Sequence, residues 1–218
     1  EILCRVAEGL KAYKYGTKAA ENPDVTGEVT GCDPYISFKW KGKETMWHEV
    51  GTKLIGDYNI ANLLAAVTVG LKFGVDEGDI CKALEEYVPS NNRSQLKQTE
   101  RNTLIIDAYN ANPTSMHAAL KNFAEMHAAN KMVILGEMGE LGAESEEEHQ
   151  KLLDEISHDA FEKVWLIGGC FEKMHTAFRT FHTVDDVIEE IKRNTPKGYT
   201  ILIKGSNSNK LFRLPEYL

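Results

Sequence analysis

Residues Ile105–Met116 read IIDAYNANPTSM. Together with Thr103 and Leu104, the first residues make a short apolar run that ends at Asp107. An apolar run of this length, closed by turn-forming residues, predicts a buried strand. Asn112 then stands where a helix N-cap belongs, and Pro113 falls at the first helical position, where its missing N–H costs nothing. The order strand, polar loop, helix is the building unit of open α/β sheets, whose ligands bind beyond the carboxyl ends of the strands. One cap accounts for Asn112. It leaves Asp107, Tyr109 and Asn110 with no local structural reason to share that loop.

The same alternation continues downstream. KMVILG (131–136) predicts a strand, and Ser145 with Glu148 predicts a capping box opening a helix through Leu152 and Ile156. KVWLIG (163–168) predicts a strand, followed by a short helix near Phe171–Phe178. A helix over Val184–Lys192 leads to the strand TILIK (200–204), and GSNSNKLF (205–212) is expected to open a final helix. Strands and helices in this order predict an α/β fold with a mostly parallel sheet and helices on both faces.

Upstream the pattern differs. VPSNNRSQ (88–95) has the composition of a linker. It divides the chain into expected domains of residues 1–92 and 93–218. Before it, Ile60, Leu63, Leu64, Val67 and Leu71 recur at helical spacing, with Asn59 as N-cap and Gly74 just past the end. A second helix carries Ile80, Ala83, Leu84 and Tyr87 as its expected buried stripe. Residues 1–55 have the short alternating runs of hairpins, with KWKGKE (39–44) as a tight turn.

The 218 residues suffice for a sizeable core, and 42% hydrophobic with 27% charged residues is ordinary for a globular protein. A formal charge of −8 speaks against general nucleic-acid binding. Cys4, Cys32, Cys81 and Cys170 form no C-x-x-C pair and match no zinc spacing, so reduced thiols in a cytoplasmic protein are expected. No apolar run reaches the length of a membrane span, and no signal peptide is present. The chain opens without Met and reads as a segment of a longer protein.

Several residues carry polar chemistry without a unique local reading. Asn59 and Asn62, three apart at a helix start, face one side and offer the donor–acceptor pattern that suits an adenine edge. Taken alone, the pair is better explained as one cap and one solvated amide. Arg93 in the linker can clamp a phosphate or simply face solvent. Gly136, Gly139 and Gly142 permit close backbone approach after a strand, with Glu137 and Glu140 between them. They do not form the G-x-G-x-x-G dinucleotide fingerprint. Lys204 and the N–H groups near Ser206 can hold an anion, or form a capped turn. His149, following a run of glutamates, is expected on a solvated helix face. No H-E-x-x-H motif is present, and no protein-only metal site is expected.

Taken together, GDYNIANLLAA (56–66), NNRSQ (91–95), DAYNANPTSM (107–116), LGEMGELG (135–142) and KGS (204–206) resemble the Mur ligases, in the family's order. YNANP followed by GEMGELG is similar to the branch that adds D-Ala-D-Ala to UDP-N-acetylmuramoyl-tripeptide in peptidoglycan precursor synthesis. The resemblance implies the end of a central ATPase domain followed by a Rossmann-like C-terminal domain. It implies ATP and Mg²⁺ as cofactors, an acyl-phosphate intermediate, the tripeptide and dipeptide as substrates, and a monomer. By the same resemblance Asn59 and Asn62 lie on the adenine side, Arg93 and Asp107 are catalytic and nucleotide-binding, and Tyr109 borders the nucleotide. Asn110, Asn112, Gly136, Gly139, Lys204 and Ser206 are implied for the dipeptide. The G-x-x-x-x-G-K-[ST] phosphate loop has no match here, so no ligase activity is expected of these residues alone. A sister Mur ligase, a folylpolyglutamate synthase and a non-catalytic Rossmann-type binding module are the competing readings.

Overall fold

The computed structural model describes residues 9–18 and 22–218. Cys4 lies outside the described residues, and among those described Cys32, Cys81 and Cys170 are in no disulfide. The chain divides into two compact units, Glu1–Lys53 with Asp57–Tyr87 and Leu54–Gly56 with Val88–Leu218.

In the first unit, strands β1 (Tyr15–Gly16), β2 (Val25–Cys32), β3 (Tyr35–Gly42) and β4 (His48–Ile55) form one sheet in that order. β2 and β3 make an antiparallel hairpin. The expected turn falls just after Gly42, whose N–H donates to Thr45 Oγ1 at 2.8 Å. Helices α1 (Ile60–Lys72) and α2 (Glu77–Glu86) follow. α1 buries Leu63, Leu64 and Val67, as its periodicity requires, and Gly74 closes it at φ +76°. The expected stripe of α2 is corrected. Ile80 is buried, whereas Ala83 is exposed and Tyr87 is 52% exposed. Four apolar positions on a ten-residue helix need not all find a neighbour.

The second unit holds a six-stranded sheet in the order β5-β6-β10-β7-β8-β9. Its members are β5 (Gln95–Gln98), β6 (Thr103–Asp107), β7 (Lys131–Gly136), β8 (Lys163–Ile167), β9 (Arg179–Phe181) and β10 (Thr200–Lys204). All pairings are parallel except β5 with β6. An antiparallel strand on the edge of an otherwise parallel sheet is a common arrangement. The crossovers are helices α3 (Pro113–Glu125), α4 (Ser145–His158), α5 (Gly169–Glu172) and α6 (Val184–Arg193). One sheet face packs Leu104, Ile106, Ile134, Ile201 and Ile203 against Val187, Ile188 and Ile191 of α6 and Leu211 and Leu214 beyond β10. The alternate residues Ile105, Val133, Leu135 and Leu202 are equally buried, and α3 and α4 bury Met116, Leu120, Phe123, Leu152, Leu153 and Ile156. Side chains on a strand alternate faces, so a sheet buried on both sides reads as a continuous apolar run.

Four local expectations are corrected. A 3₁₀ turn (Gly142–Glu144) precedes α4 and puts Ser145 inside the helix, so Ser145 makes no capping box. Its hydroxyl instead lies 3.3 Å from His149 Nδ1. The helix expected near Phe171–Phe178 is only α5, Gly169–Glu172. The final helix is replaced by two 3₁₀ turns, Asn207–Asn209 and Leu211–Glu216, separated by Lys210 in the left-handed conformation. His149 is fully buried rather than solvated.

Candidate functional site

β10 lies between β6 and β7, although it is last in sequence. The chain leaves β6 and passes over the β10 position to reach β7. The loops that follow these three neighbouring strands therefore diverge, and they open a crevice at the carboxyl edge of the sheet. Tyr109, Asn110, Ala111 and Asn112 after β6, Gly139, Glu140 and Leu141 after β7, and Ser206, Asn207 and Ser208 after β10 line a cleft of about 760 Å³. Three of the loops singled out in the sequence thus meet at one place.

At the floor of this edge, Asp107 and Lys204 are directly opposite in the parallel pairing of β6 with β10. Lys204 Nζ donates to Asp107 Oδ2 at 2.6 Å and lies 3.4 Å from the Asn110 carbonyl oxygen. Lys204 is 1% exposed and Asp107 keeps 15% side-chain exposure. The ammonium is spent on the strand ends and does not line the cleft. Burial of an ion is tolerated only with a close partner and further hydrogen bonds, and both are present here.

The β6 loop is ordered by its own polar groups. Asn112 Oδ1 accepts from Ser115 N–H at 2.9 Å, and Ser115 Oγ accepts from Asn112 N–H at 3.1 Å, a reciprocal cap for α3. Asn112 is left with its amide N–H₂ for the cleft. Ala108 N–H donates to the Asn92 carbonyl, and Asn92 and Ser94 both adopt positive φ. This kinked segment sets the Arg93 guanidinium 3.8 Å above the Tyr109 ring centroid. A stacked guanidinium keeps its in-plane N–H donors free for a planar or tetrahedral anion.

Gly136 does not reach the cleft. It is buried, and a Cβ there would stand 2.5 Å from Asn209 Oδ1, so close packing under the β10 loop demands glycine. Gly139 does line the cleft. The Ser206 N–H is also spoken for. It donates to Asn209 Oδ1 at 3.0 Å, while Ser206 Oγ accepts from Ser208 N–H at 3.2 Å and contacts Ser208 Oγ. These reciprocal bonds leave the Ser206 side, expected to receive an anion through its backbone, already satisfied.

In the first unit, Asn59 occupies the N-cap of α1 by position but not by bonding. The 3₁₀ turn Asp57–Asn59 holds it at φ −75° and ψ −8°, and its side chain makes no cap hydrogen bond. Its Oδ1 accepts from Asn62 Nδ2 at 3.1 Å, so the two amides are paired.

Two residues left without a role by sequence reasoning belong to the second unit. Glu140 lines the cleft at φ +63°, a conformation a glutamate rarely adopts. Among the described residues it has no hydrogen-bond or ion-pair partner, and it is the one carboxylate in the lining. His149 shares its buried face with Leu152, Leu153 and Ile156, a three- and four-residue spacing that the preceding glutamates obscure. Among the described residues no group of three or more His, Cys, Asp or Glu could hold a metal ion, and no helix is long and apolar enough to cross a membrane.

Residues 92–207 match the family model described as Mur ligase, glutamate ligase domain. The UDP-N-acetylmuramoyl-tripeptide–D-alanyl-D-alanine ligase of Bacillus subtilis is 32% identical over 222 residues, covering 97% of this chain and 48% of that protein. A crystal structure of MurF from Acinetobacter baumannii superposes with a TM-score of 0.82 at 26% identity, covering 99% of this chain and 49% of that one. MurF ligase from Thermotoga maritima in complex with ADP has a TM-score of 0.74 at 17% identity over 93% of this chain and 47% of that one, a likeness of fold. The chain spans about half the length, or less, of the curated relatives it matches.

Proposed function

The chain belongs to the Mur ligase family, and from that membership we infer that the protein carrying it is an ATP-dependent amide ligase. It joins D-Ala-D-Ala to UDP-N-acetylmuramoyl-tripeptide in the cytoplasm, as a monomer. The observation that carries this reading is the cleft itself. The loops after β6, β7 and β10, which bear the family's motif residues, converge on one crevice. In the same reading the chain divides near residue 92 into the end of a central ATPase domain and a C-terminal ligase domain.

The chemistry follows from the poor reactivity of a carboxylate toward an amine. The terminal carboxylate of the tripeptide attacks the γ-phosphorus of ATP, forming an acyl phosphate and releasing ADP. The dipeptide amine then attacks the acyl carbon. The C–O bond to phosphate breaks, inorganic phosphate leaves, and the amine gives up its proton as the amide forms. Mg²⁺, when bound, would supply charge neutralisation for the phosphoryl step, and positioning with electrostatics dominates such transfers. The donor set described here suits the edges of the nucleotide rather than a metal. Within the second unit the Arg93 guanidinium suits a phosphate and Asp107 suits ribose hydroxyls, while Asn59 and Asn62, in the first unit, are assigned to the adenine by the family's motif alone. Asp107 can accept from a hydroxyl while Lys204 holds its other oxygen.

On the amine side, the cleft offers neutral amides and hydroxyls with one carboxylate, Glu140. That charge pattern suits the ammonium end of the incoming dipeptide. Asn110, the Asn112 amide, Gly139 and Ser206 complete the wall. The test is phosphate release by the intact protein with ATP and Mg²⁺. Turnover that requires both UDP-muramoyl tripeptide and D-Ala-D-Ala is expected. Turnover with a single amino acid or glutamate in place of the dipeptide would move the protein to a sister branch. Nucleotide binding without any turnover would make it a binding module.

A further inference from the structure

The loop that carries Glu140 is tied down by a residue outside the cleft lining. His149, on the second turn of α4, is fully buried. Its Nε2 lies 2.9 Å from the backbone nitrogen of Met138, and its Nδ1 lies 2.6 Å from the Ser145 carbonyl oxygen. A backbone N–H can only donate, so Nε2 is the unprotonated nitrogen and Nδ1–H donates to Ser145. The Phe171 ring meets the imidazole edge-on, centroids 5.0 Å apart, and fixes its plane. Both nitrogens of this ring are therefore committed, and Phe171 packs against it.

What the imidazole holds is the base of the cleft loop. Glu137 is anchored on one side, its N–H donating to the Ile167 carbonyl and its carboxylate accepting from Cys170 N–H at 2.9 Å. Any side chain at Gly168 would collide with that carboxylate, at 2.4 Å. Glu144 N–H returns to the Leu141 carbonyl on the other side. Met138, itself 4% exposed, is the last fixed point before Gly139, Glu140 and Leu141 reach the cleft. A buried backbone N–H without an acceptor is disfavoured, so loss of the imidazole nitrogen forces this segment to move toward another partner.

We propose that His149 is a positioning residue for the amine substrate: through the Met138 N–H it sets the Gly139–Leu141 segment, and with it the Glu140 carboxylate, against the cleft. The proposal rests on the ligase reading for its substrate and on the hydrogen-bond geometry for its mechanism. His149 itself is buried and does not line the cleft.

The test uses the intact protein and three variants. His149→Phe keeps the ring and its contact with Phe171 but offers no acceptor. His149→Gln places an amide oxygen within reach of Met138 N–H, and His149→Asn is one methylene too short. The Phe and Asn variants are expected to raise KM for D-Ala-D-Ala about tenfold, the scale of one lost hydrogen bond, with KM for ATP unchanged. The Gln variant is expected to restore most of the wild-type value. Amide hydrogen exchange at Met138 should be slow in wild type and Gln, and fast in Phe and Asn. If Phe does not fold, the Gln–Asn contrast decides. Equal KM values in all variants, with only a lowered thermal midpoint, would overturn the positioning role. Absence of dipeptide-dependent turnover in wild type would refute the ligase reading instead, and Met138 exchange would still report on the clamp.

Discussion

Replacing Lys204 with Met removes one half of the buried ion pair while keeping most of the side-chain volume. Asp107 then retains a carboxylate at 15% side-chain exposure with its 2.6 Å partner gone. Removing one member of a buried pair costs about 3–5 kcal/mol, because the other charge is left uncompensated. For a unit of roughly 130 residues each kcal/mol shifts the thermal midpoint by about 3–5 °C, so a fall of roughly 10–25 °C is expected. Asp107→Leu in the same background removes the second charge and should recover stability to within about 1 kcal/mol of wild type, since apolar replacement of a whole buried pair is often neutral. The assay is thermal and denaturant unfolding of the four proteins of the double-mutant cycle. A cost below about 1 kcal/mol for Lys204→Met, with no coupling to Asp107, would refute the reasoning. Lys204 would then be a free cation at the strand ends, available to a substrate carboxylate.

Arg93→Ala should raise KM for ATP while leaving the thermal midpoint nearly unchanged, since the guanidinium is exposed and stacks only on Tyr109. A collapsed midpoint with an unchanged KM would make Arg93 structural. Asn112→Ala should cost about 1 kcal/mol, the usual value of an N-cap, read from denaturant unfolding; no loss would mean that Pro113 alone starts α3. His182 is held protonated above its ordinary range by the Glu172 carboxylate bonded to it. Its stabilising contribution is thus fully present below pH about 6.5 and is lost as pH rises through the raised value. An NMR titration of Glu172→Gln should return His182 toward its ordinary value, and an unchanged titration would remove the ion pair as the cause.

The elements legible in the sequence were those whose burial is two-sided. Leu104–Ile106, Met132–Leu135, Val164–Ile167 and Ile201–Ile203 are continuous apolar runs because helices or turns cover both sheet faces. Edge strands lack that signal. β5, QLKQ, has half of its residues exposed and carries no strand signal, its first residue falling in the expected linker, and β9 has only Phe181 buried. The expected final helix is two 3₁₀ turns because Lys210 at φ +54° separates them, with Pro215 inside the second, and a left-handed lysine is not visible as apolar periodicity. At the site, the Asn112–Pro113 cap is local and was readable. The Asp107–Lys204 pair joins residues 97 apart and depends on β10 entering between β6 and β7. Glu140 and His149 show the same limit. The positive φ of Glu140 and the hydrogen bond from Met138 to His149 are products of tertiary packing.

The most direct test of the account is the fate of the oxygen in the tripeptide carboxylate. With that carboxylate labelled in ¹⁸O and the intact protein supplied with ATP, Mg²⁺ and D-Ala-D-Ala, the acyl-phosphate route transfers one carboxyl oxygen to each phosphate released. Mass spectrometry should find one ¹⁸O per phosphate, with the other in the new amide carbonyl. Unlabelled phosphate alongside amide product would contradict the account, because the carboxylate would then never have been phosphorylated.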